Sequence, residues 1–183
     1  RTGESAAKPN EDHFRWISGW GFDFARIPMN YRTWLKKKTH PGEMITPEDA
    51  FEVDESVLGL IDDTISYGEK HGVHVCLCFH HAPGYRVGKQ VHDEPFLLWR
   101  DAAAVDAFTF HWTLFAKRYR HVAADKLSFN LFNEAPWPND DFNGAIYKLA
   151  ITPAVEAIRR ISPDRLIIAD GTGAGNLPVP ELV

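Results

Sequence analysis

Four short apolar runs alternate with four long helical patterns, and this order limits the fold more than any other feature of the 183 residues. NEDHFRWISGW (10–20) opens on the capping residue Asn10 and spaces Phe14 and Ile17 as a helix does. FDFARIP (22–28) reads as a buried strand stopped by Pro28. Residues 47–72 begin with Pro47 and acids, carry Val57, Leu60, Ile61 and Ile65 at helical spacing, and stop at Gly72, a helix C-cap residue. VHVCLCFHH (73–81) is a second strand, 101–120 a long helix, and KLSFNLFNE (126–134) a third strand. A helix follows over 141–162, with a kink expected at Pro153, and RLIIADG (165–171) is a fourth strand.

Strands that alternate with long helices predict parallel pairing through right-handed crossovers. The strand faces choose between a doubly wound sheet and a barrel. In the second strand Val73, Val75, Leu77 and Phe79 share one apolar face, while His74, Cys76, Cys78 and His80 share the other. In the third, Leu127, Phe129 and Leu131 oppose Ser128, Asn130, Phe132 and Glu134. One face suits helices and the other a crowded, partly polar barrel interior. A doubly wound sheet is apolar on both faces, and no GxGxxG loop follows the first strand. The fold class expected is α/β, part of a (β/α)8 TIM barrel with about four strands and four helices. A whole barrel takes about 250 residues, so residues 1–183 read as a single partial domain, the N-terminal and central part of the barrel.

Charge and composition exclude several classes. The net charge of −5 argues against a nucleic-acid binder, and the short run Lys36-Lys37-Lys38 reads as a solvated loop. No apolar run approaches the roughly 18 residues of a membrane span. Residues 1–10 lack the apolar segment of a signal peptide, which leaves a secreted and a cytoplasmic location both open. Cys76 and Cys78 lie two apart on one strand and point the same way, so free thiols are expected.

Three successive strands end in residues foreign to a core: Arg26-Ile27-Pro28, His80-His81-Ala82-Pro83-Gly84, and Asn133-Glu134-Ala135-Pro136. In a (β/α)8 barrel the C-terminal strand ends build the active face. The chemistry that uses such residues is glycoside hydrolysis, in which one carboxylic acid protonates the leaving oxygen and a second carboxylate attacks or activates water. Glu134, at the end of an apolar strand, is expected to be partly buried and to hold a proton. Arg26 can keep a neighbouring carboxylate ionised. Asn133 and His80 can bind sugar hydroxyls, and Trp137, Tyr31 and Trp34 offer flat faces to sugar rings.

The segments GFDFARIPMNY, HGVHVCLCFHHAPGYR and LSFNLFNEAPWP together resemble glycoside hydrolase family 5, the cellulase family of the (β/α)8 retaining clan, over residues 10–175. The resemblance implies Glu134 as general acid/base, Asn133 as its sugar-binding neighbour, Arg26 and His80 as active-site residues with His81 beside them, and endo-cleavage of β-1,4-glucans by double displacement without metal or other cofactor. It also places the nucleophilic Glu on the seventh barrel strand, so that no position here corresponds to it and the chain alone is expected to be inactive. The partner expected is a β-glucan polysaccharide or oligosaccharide, not a nucleic acid or a membrane. A half-barrel exposes two strand edges, so self-association or pairing with a missing C-terminal half is expected.

Among the other carboxylates, Asp170 ends the fourth strand but reads as a turn-former in ADGTG, and Asp93, Glu94, Asp140 and Asp141 read as solvated or capping loop residues. The His residues show no zinc spacing, since His74 lies about 20 Å along the strand from His80. Two other readings stay open: a non-catalytic carbohydrate-binding or scaffold half-barrel using Trp34, Trp137 and Tyr85, and a hydrolase acting on mannan or β-1,3-glucan.

Overall fold

A computed structural model describes residues 9–38, 43–87 and 94–182. The elements that position the site are α1 (Glu11–Gly19), β1 (Phe24–Asn30), α2 (Glu55–His71), β2 (His74–Ala82), β3 (Tyr85–Arg86), α3 (Ala102–Arg118), β4 (Leu127–Asn130), α4 (Gly144–Ile161) and β5 (Leu166–Ile168). The sheet runs β1-β2-β4-β5 with every one of these neighbours parallel. The two-residue β3 folds back antiparallel on the end of β2. The α/β alternation is therefore as expected, with the crossover helices α2, α3 and α4 between successive parallel strands.

The two faces of the sheet are divided as the sequence pattern predicts. Val75, Leu77, Phe79, Leu127 and Phe129 are fully buried, and Phe79 packs edge-on to Trp112 of α3 at 4.8 Å between ring centroids. Trp112 also meets Phe129 at 5.0 Å, so one indole ties β2 and β4 to α3. On the other face Cys76 and Cys78 are buried free thiols, and burial pushes the Cys78 thiol up to about 12. Both stay protonated and unreactive at neutral pH.

Three boundaries differ from the expected ones, each for a local reason. Pro28 does not end β1, which continues to Asn30; β1 lies at the edge of the described sheet, where a residue without an N–H is tolerated. The helix expected from residue 47 starts at Glu55, because Val53 bridges Leu35 and the Asp54 carboxylate accepts the Ser56 N–H at 3.1 Å as N-cap. β4 stops at Asn130, after which Phe132 turns into a ring cluster with Tyr85 and Tyr147. Gly72 ends α2 at φ 68°, as expected, and α4 is helical throughout, Pro153 included. The lysine run is engaged locally: Lys36 pairs with Glu52 at 2.9 Å and Lys37 with Asp49 at 2.6 Å.

Beneath the sheet, His111 of α3 is fully buried, and its Nδ1 accepts the Trp34 indole N–H at 3.2 Å. Burial pulls its pKa down to about 3. The unfolded chain binds a proton near pH 6.5 that the folded protein refuses, so this group's contribution is complete above that pH and is lost as pH falls toward 3. The slope approaches about 1.4 kcal/mol per pH unit. His111→Gln, which keeps an acceptor for Trp34 but does not titrate, is expected to flatten the fall of urea-unfolding stability between pH 6 and 4. An unchanged slope contradicts this.

Candidate active site

At the C-terminal side of the parallel strands, polar side chains from four strands and their following loops converge. Arg26 lies in mid-β1, level with Cys76 of β2, and its guanidinium reaches up to the strand ends. Nε donates to Asn130 Oδ1 of β4 at 2.9 Å, and Nη1 meets His80 Nε2 of β2 at 3.3 Å. Nη2 lies 3.5 Å from Asp170 Oδ2, just beyond β5. Because the guanidinium only donates, His80 Nε2 accepts and its proton sits on Nδ1. Burial, and then the Arg26 charge, hold the His80 pKa below its usual value, so the ring is neutral at neutral pH.

Asp170 binds this group to the catalytic candidate. Its Oδ1 accepts the Asn130 amide at 2.8 Å, and its Oδ2 accepts the Glu134 backbone N–H at 3.0 Å. The Tyr147 hydroxyl donates to the Asp170 carbonyl at 2.7 Å. Glu134 is one of the non-glycine residues at positive φ, 54°. Such a residue persists where its surroundings hold it, and here both of its backbone polar groups are held: Asp170 takes the N–H, and the Tyr85 hydroxyl donates to the C=O. Burial, then the Glu134 charge, raise the Tyr85 pKa, so the phenol keeps its proton and remains a donor.

This turn changes one expectation. Glu134 is exposed, not dried by the strand before it: backbone bonds to the neighbouring strands continue to Asn133, and the chain then turns into the left-handed region at Glu134 itself. The carboxylate opens on a cleft of about 890 Å³ whose walls include Tyr85, Trp99, Trp137, Arg86 and Asp141. Trp137 is 60% exposed and offers the accessible ring expected of it. Asn133 is only 7% exposed, with its N–H bonded to the Phe79 carbonyl at 2.7 Å.

Tyr31 and Trp34 are not sugar platforms. After β1 the chain enters a 3-10 turn, Tyr31–Trp34, that rotates both rings into the core, where they are 0% and 2% exposed. His81 is also buried, on the strand face opposite His80. Its Nε2 lies 3.1 Å from Glu94 Oε1, and Glu94 is itself only 4% exposed. The solvated-loop reading therefore fails for Glu94, while Asp93 lies outside the described residues. Asp140 and Asp141 are exposed on the cleft rim, as expected. Sequence reasoning did not choose Asn130 or Asp170 for the site. The signal for Asn130 was its place on the interior face two positions beyond Ser128, and for Asp170 its place at a strand end.

Parallel strands joined by helices, with an Arg–His–Asn–Asp group and a projecting glutamate at their C-terminal side, define the (β/α)8 glycoside hydrolase class. The family model for cellulase (glycosyl hydrolase family 5) matches residues 2–180, and the chain belongs to that family. A crystal structure described as a glycoside hydrolase is 36% identical, with a TM-score of 0.85, over 99% of this chain and 54% of its own. Cel5A from Thermotoga maritima, solved in complex with cellobiose, shares the fold at 20% identity and a TM-score of 0.70, over 100% of this chain and 53% of its own. Endoglucanase C of Acetivibrio thermocellus is 26% identical over 151 residues, 82% of this chain and 39% of that protein. The chain thus spans about half the length of these solved structures, and less of that curated relative.

Proposed function

We propose that these residues form the acid/base half of a retaining endo-β-1,4-glucanase. The observation that carries the reading is the backbone clamp on Glu134, which fixes an exposed carboxylate at an aromatic-walled cleft and joins its backbone through Asp170 to Arg26. In this reading Glu134 protonates the glycosidic oxygen as it leaves, and as carboxylate it then removes a proton from the water that opens the glycosyl-enzyme. Trp137 stacks on a sugar ring, and neutral His80 hydrogen-bonds a hydroxyl. Asn133 presents only an edge to the sugar.

Asp170 is a holder and not the nucleophile. One carboxylate oxygen is bound to Asn130, and the other is shared by the Glu134 N–H and Arg26. Attack by either oxygen on an anomeric carbon would break the contacts that hold Asn130 and the Glu134 N–H. That carboxylate is assigned to a barrel strand outside these residues, and the polypeptide of 183 residues is expected to show no turnover of its own. Among the described residues β1 and β5 are the outer strands of the sheet, which fits association with further strands.

The test is an assay of the pure 20.7 kDa polypeptide on soluble β-1,4-glucan, with the longer protein that contains it in parallel, and with mannan and β-1,3-glucan as alternative substrates. Turnover by the longer protein alone, greatest on β-1,4-glucan, supports the reading. Turnover by a verified 20.7 kDa monomer contradicts the division of the two carboxylates. Binding of glucan without turnover by either favours a carbohydrate-binding module.

A further inference from the structure

The group least explained by the site is Glu94. Its side chain is fully buried and accepts from three directions: the Tyr31 hydroxyl at 2.7 Å and His81 Nε2 at 3.1 Å, both on Oε1, and the Gly84 N–H at 2.7 Å on Oε2. A buried carboxylate is costly unless donors surround it, and three donors of three kinds meet that need. Burial and the Glu94 charge raise the Tyr31 pKa, so that phenol stays a donor.

The three donors come from places that the site depends on. Tyr31 follows directly on β1, the strand that carries Arg26. His81 is the neighbour of His80, and pairs in register with Asn30 at the end of β1. Gly84 makes the tight turn between β2 and β3 at φ 72°, so close to the 97–98 backbone that an added Cβ would lie 2.6 Å from the Leu98 nitrogen. The next residue is Tyr85, whose ring is fixed by Trp99 at 5.2 Å and Phe132 at 5.6 Å, and whose hydroxyl donates to the Glu134 carbonyl. One carboxylate therefore ties the end of β1, the end of β2 and the β2–β3 turn together.

We infer that Glu94 is a positioning residue for the acid/base, acting through Gly84 and Tyr85 on the backbone of Glu134. The inference rests on the hydrolase reading above. Its carboxylate sets the β2–β3 turn, the turn sets the Tyr85 hydroxyl, and the hydroxyl holds the Glu134 carbonyl so that the side chain meets the glycosidic oxygen in line. An error of about 1 Å in such placement can cost on the order of 100-fold in rate.

The experiment is a double-mutant cycle of Glu94→Gln and Tyr85→Phe in the longer protein that contains these residues, with kcat and KM measured on soluble β-1,4-glucan. Gln keeps the shape of Glu94 but turns an N–H2 group toward one of the three donors. The expected result is a loss in kcat of at least about tenfold in each single variant, with KM within about threefold of the parent. The double variant is expected to lose little beyond the worse single one, because both changes break the same path. Where Glu94→Gln does not fold, Tyr31→Phe takes its place in the cycle. Parental kcat in the first variant, independent losses that multiply in the double variant, or a rise in KM alone overturns the inference. A parent that does not cleave the glucan, or a fully active Glu134→Gln, breaks the hydrolase reading instead. With an active parent and an inactive Glu134→Gln, the hydrolase reading stands and the cycle tests Glu94 alone.

Discussion

Glu134→Gln in the longer protein is expected to lower kcat on soluble β-1,4-glucan by about three orders of magnitude, with little change in KM. Gln has the size and shape of Glu, so the cleft keeps its form. The two contacts that hold this residue in its left-handed turn go to its backbone N–H and C=O, and neither uses the side chain. The substitution therefore removes a proton donor and acceptor without releasing the clamp. Both chemical steps suffer: the first lacks an acid for a poor leaving group, and the second lacks a base for water. An aryl β-glycoside whose leaving group needs no proton is expected to pass the first step at near-parental rate and to stall at the second. Parental activity on the polysaccharide contradicts the role given to Glu134. An equal loss on both substrates at the first step also does, because only a damaged site is indifferent to the leaving group.

The second large effect is on stability. Arg165, immediately before β5, is only 3% exposed. Its guanidinium donates to the carbonyls of Tyr119, Val122, Ala123 and Leu127 at 2.7–3.2 Å, and lies 5.3 Å from the centre of the Phe129 ring. These carbonyls belong to the end of α3, its exit loop and the first residue of β4. One side chain thus joins helix, loop and two strands. Arg165→Leu removes donors from acceptors that water cannot reach, at about 1–3 kcal/mol each. Relief from burying a cation offsets part of this, and a net loss of about 3–5 kcal/mol is expected. The measurement is the urea midpoint at unchanged slope. A loss below about 1 kcal/mol would mean that the loop supplies its own donors, contrary to the role assigned to Arg165.

What the sequence disclosed follows from the kind of signal involved. The period of two in VHVCLCFHH marks both faces of β2, and strand-end position marks His80, because in parallel α/β folds these ends lie together. Arg26 lies in mid-β1 and not at its end, and reaches the same place only through the length of its side chain. Tyr31 and Trp34 misled for a physical reason: an aromatic just after a strand has the same local pattern whether the following turn sends it to a cleft or to the core, and here a 3-10 turn sends it to the core. Glu94 and Arg165 left no local trace. Glu94 meets Gly84 and His81, 10 and 13 positions away, but its Tyr31 partner lies 63 positions away, and Arg165 meets the Tyr119 carbonyl 46 positions away, so no local pattern marks either residue as buried. Asp170 lies between these cases. Its place at a strand end was visible, but its engagement by Asn130 and Glu134 required the fold.

The most direct test of Glu134 as acid/base is the product formed by Glu134→Ala in the longer protein when an aryl β-glycoside is supplied with azide. Azide needs no general base and fits the space left by the carboxylate. It is expected to restore turnover and to give the β-glycosyl azide, formed by attack on an α-linked glycosyl-enzyme. An α-glycosyl azide would identify Glu134 as the nucleophile, and no rescue with turnover still at the parental level would show that its carboxyl group takes no part in the reaction.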